Sequence, residues 1–343
     1  ALGLAMAASD QLAEALAVFR QVWRDNPEGE QGRYARARIE AAEVAPSGAR
    51  RRRLHPFPTT AQRRHQCGPA VIDLCLRYLD VEIDVSAIDD AVRRGDGTPM
   101  HEIRGFLADN GVVARRIEVT VARLKAAIDL GLPVIVQEEY ATTAHVAVIT
   151  GYDERLDLFI ANDPTSHRQL LKSYAWLEQA GDLYGNGGLV VLGAAGAELA
   201  QLKDKADAAG LEEAPALLLL DERERERAGL GDRRGTTAYE EVIRLCEQAL
   251  ELAPEFKLAW YERARAHIAL WGIHRDVHHR SRALASLYDL RSRFGDEKWP
   301  YQLSAQLLEQ EERYEEAYVA YHDAWSRDPA DANNLDAMGH CKL

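Results

Sequence analysis

Apolar residues recur at helical steps near both ends of the chain and at strand-like spacing in its middle. In 11–26, Leu12, Ala15, Leu16, Phe19, Val22 and Trp23 fall three and four apart, which puts them on one face of a helix. Asp25-Asn26-Pro27 ends that helix, because proline cannot continue it. The same spacing returns from Glu240 to Leu252, closed by Ala253-Pro254, and from Glu312 to Arg327, closed by Asp328-Pro329. Between about Pro56 and Gly193 the apolar runs shorten to 132–136, 145–149, 156–160 and 188–192, and β-branched residues dominate the first two. Turn residues separate them: Gly151 and Asp153, Asp163-Pro164, and Gly185-Asn186-Gly187. Helices are predicted at 68–79, 86–93, 99–110 and 121–130, all ahead of the strands.

Helices followed by an antiparallel sheet make an α+β domain. The chain is therefore read as multidomain: an α+β domain over 56–193 set within an all-α helical array. The array would occupy 1–45 and 236–343, with a basic linker at 46–55 and a helical connector at 194–235 that carries the charged stretch Asp221 to Arg227.

The helical ends resemble tetratricopeptide repeats, whose helix pairs recur about every 34 residues with small residues where the helices touch. With Pro329 as a closing proline, Ala317, Tyr321 and Ala324 take the family's small, aromatic and small places. With Pro27, Ala15 and Phe19 take the small and aromatic places, and Gly3 the small place of the preceding helix. Pro254 closes a weaker unit, in which Ala249 fits and Cys246 replaces the aromatic. Trp260 and Ala264 follow in register, and Leu335 and Gly339 open another unit. This register starts and stops inside a unit, so the chain is expected to be an excerpt of a longer array, with atypical caps as the alternative. Pro254 and Pro329 stand 75 apart (329 − 254), so the units are irregular.

Composition narrows the function classes. Hydrophobic content of 47% and charged content of 28% are those of a globular protein. A net charge of −13 argues against general nucleic-acid binding, which needs a positive field. Arg50 to Arg53 are the local exception and read as a solvated linker. Cys67, Cys75, Cys246 and Cys341 lack the spacing of a zinc site or a disulfide framework. Free thiols favour a reducing, cytoplasmic setting. The chain opens on Ala1 without a methionine, so a targeting segment upstream stays open. No run of about 18 apolar residues predicts a membrane span, and no cofactor or metal is expected.

Candidate chemistry gathers in the middle. Cys67-Gly68-Pro69-Ala70 stands where a loop turns into a helix, since proline suits a first turn. A thiol there feels the positive end of the helix dipole, which lowers its pKa. Cys75, between Leu74 and Leu76, reads as core. A thiolate nucleophile needs a base and the base an orienting partner. His145 is the best placed of the 11 histidines, at a strand start after Thr142-Thr143-Ala144. Asp163 ends the strand that hairpins back beside it, where its carboxylate would reach the ring. Asn162 competes for that orienting place, and Asp163-Pro164 is also a turn signal. Gln62 stands five before Cys67 (67 − 62) and is the candidate oxyanion donor.

Three motifs then share an order with a known family. Gln62 ahead of Cys67-Gly68-Pro69-Ala70, His145 to Asp153, and Asn162-Asp163-Pro164 resemble a papain-like cysteine peptidase of the bacteriocin-processing (double-glycine leader) type. The gaps are 78 (145 − 67) and 18 (163 − 145). That resemblance implies Cys67 as nucleophile, His145 as general base and Asp163 as orienting acid. It further implies that Gln62 and the Cys67 backbone N–H hold the oxyanion. In many papain-like enzymes the glutamine stands six before the cysteine, where this chain has Ala61, and Gln66 stands too close to reach. The implied activity is a cysteine peptidase acting on a peptide or protein, with the helical repeats recruiting substrate or a protein partner. Non-cleaving peptide binding and transamidation or deamidation on the same residues are the alternatives, and leader specificity does not carry over.

Overall fold

The computed structural model describes residues 3, 6–7, 11–60, 66–82, 88, 98–140, 143–165, 169–176, 187–194, 196–221, 236–329 and 332–342. They form two compact units, one essentially up to 213 and the other from 214 onward.

The first unit is built on an antiparallel sheet. Its strands are β1 (Arg51–Arg53), β2 (Val112–Glu118), β3 (Val134–Tyr140), β4 (Thr143–Asp153), β5 (Leu158–Asn162), β6 (Gln169–Ser173) and β7 (Gly187–Ala194). Their order is β2-β7-β3-β4-β5-β6, with β1 on the far end of β4. The strands alternate between two cores. Ile135, Val146, Val148, Leu189 and Val191 face α3 (Cys67–Tyr78) and α4 (Met100–Asp109). Val134, Val136, Ala147, Ile149, Val190 and Leu192 face α5 (Val121–Asp129) and the residues around α6 (Ala197–Ala208). Burial on both faces is why these strands read as nearly unbroken apolar runs. Thr120 caps α5 by accepting a hydrogen bond from the Arg123 N–H.

Three stretches depart from the expectation. Arg51 to Arg53, read as linker, form β1 against Gly151 to Asp153. Arg50 and Arg52 reach the Asp129 carboxylate at 2.6 and 3.4 Å, so acidic neighbours absorb the charge that argued for a solvated segment. The connector divides: Ala206 and Leu211 belong to the core of the sheet unit, whereas Ala216 and Leu220 join the helical core. The N-terminal helices α1 (Leu12–Asp25) and α2 (Glu30–Val44) pack Ala15, Phe19, Ala35 and Ile39 against Leu156 and Leu158 of the sheet unit. Arg38 is buried there and donates to the carbonyls of Leu156 and Asp157, at 2.5 and 2.8 Å. Most of the helix expected at 86–93 lies outside the described residues.

The second unit is helical: α7 (Thr236–Leu252), α8 (Lys257–His274), α9 (Val277–Phe294), α10 (Trp299–Gln310), α11 (Tyr314–Arg327) and α12 (Ala332–His340). Each helix packs on the next in sequence. Ala249, Ala264, Ala317 and Ala324 are fully buried, as close helix packing requires. Among the described residues no helix is long and apolar enough to cross a membrane.

Candidate active site

Cys67 is the first residue of α3 and is half-buried. Gly68 follows because the chain at Thr98 presses on this turn: a Cβ on Gly68 would stand 2.3 Å from the Thr98 Cβ. Pro69 has no N–H, so the helix start offers few donors, and the Gly68 N–H turns to the sulfur. The Val146 N–H, from β4, also reaches it.

His145 and Asp163 come together through the β4–β5 register. Val148 pairs with Asn162 and Ile149 with Ala161, so the end of β5 runs beside the start of β4. The His145 Nε2 and the Asp163 Oδ1 are 2.9 Å apart, both residues buried. The Cys67 thiol lies close enough to the imidazole for each to shift the other's pKa. The fold therefore brings the three sequence-predicted residues together, with His145 bonded to Asp163 and Cys67 beside the ring.

The electrostatics follow from it. Burial pushes the Cys67 thiol up, but its hydrogen bond to His145, the imidazole's charge and the two backbone N–H groups outweigh that, and it ends below the ordinary thiol value. Burial pushes His145 down, but its bonds to Asp163 and Cys67 and their negative charge lift it to about 9. Asp163, although buried, is drawn down to about 2 by bonds from His145 and from Thr165. Together these favour a thiolate–imidazolium pair beside a carboxylate, with one proton shared between sulfur and ring. Cys75, two turns along the same helix, is fully buried without such partners, and burial raises its thiol far above the ordinary value. Such a pair can attack a carbonyl carbon and then protonate a leaving group.

Thr165 is a member that spacing did not reveal. Its N–H and its hydroxyl both donate to Asp163 Oδ1, at 2.8 and 2.6 Å. The Asp-Pro-Thr order, with a hydroxyl two residues after an aspartate in a turn, was the available signal. Asn162, the competing orienter, is engaged elsewhere. It accepts from the Thr150 hydroxyl at 3.0 Å and from Gln169 at 3.2 Å, and donates to the Pro58 carbonyl at 2.8 Å. Gln62, Ala61, His65 and His167 lie outside the described residues. No group of three or more His, Cys, Asp or Glu among the described residues is arranged to hold a metal ion.

Residues 54–181 match the Peptidase_C39 like family, which supports a cysteine-type peptidase over that part of the chain. Among solved structures the chain is similar to a double glycine motif protease from an AMS/PCAT transporter, in complex with the leader peptide. The identity is 14% and the TM-score 0.33, over 40% of this chain and 93% of that one. No curated protein matches the chain.

Proposed function

We propose that this chain is a cysteine peptidase whose helical unit recruits a protein partner or substrate. The Cys67 thiolate attacks the scissile carbonyl carbon, and the carbonyl π pair moves onto oxygen. The oxyanion is held by the Cys67 N–H and the Gln62 side-chain amide. The His145 imidazolium gives its proton to the departing amine, leaving a thioester on the sulfur. His145 then takes a proton from water as that water attacks the thioester, and the new acid leaves as the thiolate reforms. Asp163 holds the ring in one tautomer and stabilises its cation.

The observation that carries this reading is the His145–Asp163 hydrogen bond beside the Cys67 thiol at the start of α3. The test is mass spectrometry of a peptide library incubated with the chain and with its Cys67→Ala variant. Cleavage is expected to fall by at least about 10³-fold in the variant, and iodoacetamide is expected to abolish it in the parent. Cleavage that persists unchanged in Cys67→Ala would refute the assignment.

A further inference from the structure

The helical unit carries a groove of about 490 Å³ between α9 and α10. Leu287 and Leu307 form its buried floor, and Leu284, Tyr288 and Leu308 flank them. Leu284 is 42% exposed and Tyr288 74%. Val277, Leu284, Tyr288 and Arg291 succeed one another at seven, four and three residues along α9, so they share one face of that helix. An open apolar stripe of this kind marks a surface that another molecule covers.

The charges along the groove say what that molecule carries. At one end Glu311 is gripped by Arg280 at 2.6 and 3.1 Å and by Arg313 at 2.9 Å. Arg313 in turn holds Glu316 at 2.6 Å, so that end is neutral. At the other end Arg291 lies over the Tyr301 ring, 4.7 Å from its centre. No carboxylate is paired with Arg291 among the described residues. The groove thus has an apolar floor and one uncompensated positive charge, in a chain of net charge −13.

We propose that the groove docks a short extended segment of a partner protein, which offers an aliphatic or aromatic side chain to the leucines and a carboxylate to Arg291. Leu284 and Arg291 are seven residues apart, about 10 Å along a helix at 1.5 Å per residue. That distance matches about three residues of extended chain at roughly 3.3 Å each, so the apolar and acidic side chains stand two to four positions apart. The proposal rests on the preceding reading only in that the helical unit recruits a protein; it needs no cleavage.

A random octapeptide phage library selected against the full chain carrying Cys67→Ala tests it, since binding is then read without turnover. Enriched peptides are expected to hold Leu, Phe or Tyr two to four positions from Asp or Glu. The most enriched peptide, fluorescein-labelled, is expected to bind about tenfold more weakly to Leu284→Lys and to Arg291→Glu by fluorescence polarisation. Both positions are exposed, so these substitutions leave the helices intact. Selection against Arg291→Glu is expected to turn toward Lys and Arg. Absence of enrichment, or binding indifferent to both substitutions, would overturn the proposal. So would a dimer in sedimentation that Leu284→Lys dissolves, because a second copy would then fill the groove. None of these outcomes depends on whether Cys67 cleaves anything.

Discussion

His145 in the sheet unit and His267 in the helical unit are equally buried, each 6% exposed, yet they are driven in opposite directions. Burial penalises the charged ring in both. His145 is lifted to about 9 because it bonds the Asp163 carboxylate and stands beside the Cys67 thiol. His267 falls to about 4, by burial first and then because Arg263, Arg282, His279 and His278 surround it. Its Nδ1 has no hydrogen-bond partner among the described residues. Burial alone therefore does not make a histidine reactive; the sign of its neighbours does. One unit spends its buried imidazole on a shared proton, and the other keeps it neutral as packing.

The comparison breaks most visibly if the carboxylate loses its charge while keeping its shape. Asp163→Asn retains an oxygen for the Nε2–H but no longer stabilises the imidazolium. His145 is then expected to fall from about 9 toward its ordinary 6.5, and kcat/KM at pH 7 by about 10²- to 10³-fold. In the parent the imidazolium proton leaves as pH rises through about 9, so the alkaline limb of the pH–rate profile sits there. In the variant that limb moves to lower pH. A profile with the same alkaline limb in both proteins would show that Asp163 does not set the ring's charge.

His267 supplies the opposite test, on stability. Its folded pKa, about 4, lies below the ordinary 6.5. Between those values the unfolded chain takes up a proton that the folded chain refuses, so stability is lost as pH falls through 6.5 toward 4. The loss is at most about 3 kcal/mol at 1.36 kcal/mol per unit. His267→Leu is expected to flatten that dependence without weakening the fold at pH 7.5, since it also removes an unpartnered buried nitrogen. Urea unfolding followed by tryptophan fluorescence measures it, because Trp260, Trp271, Trp299 and Trp325 all lie in this unit. An equal loss between pH 7.5 and 5 in parent and variant would remove His267 from the account.

What could be read from sequence divides along similar lines. Cys67, His145 and Asp163 were legible because each stands at the end of an element whose apolar run is unmistakable, and the hairpin order then brings the ends together. The two-faced burial of the sheet also left its mark as unbroken apolar runs. β2 was not legible, because Arg115 and Arg116 interrupt its alternation. In the fold Arg116 is buried and Arg115 pairs with Asp207 at 2.5 Å, partners 92 residues away that no local pattern reveals. β1 was hidden for a related reason: three consecutive arginines read as a linker, and Arg52 and Arg53 do stay exposed, but pairing with the distant Gly151 to Asp153 makes the segment a strand. The docking of α1 and α2 on the sheet unit adds to its apolar contact a buried Arg38 that satisfies carbonyls 118 and 119 residues away. Long-range polar pairs were the illegible part, and apolar periodicity the legible one.

Thr165 is the exception, a local partner two residues from Asp163 that its turn order could have revealed, and it gives the finest test of the contrast. Its hydroxyl and its N–H donate to the same Asp163 oxygen that receives the His145 ring. Thr165→Val removes the hydroxyl bond and keeps the backbone one. A part-buried hydrogen bond to a charged group contributes about 1.5 kcal/mol, so kcat is expected to fall about tenfold with KM unchanged. The Asp163 carboxyl is expected to rise from about 2, which carboxyl carbon NMR titration reads directly. Thr165→Ser keeps a hydroxyl and is expected to restore both values. If Thr165 only closed the turn after Pro164, the valine variant would lower the melting temperature while the Asp163 titration and kcat stayed where they were. A fall in kcat together with a raised Asp163 pKa, both reversed by serine, assigns Thr165 to holding the carboxylate that separates His145 from His267.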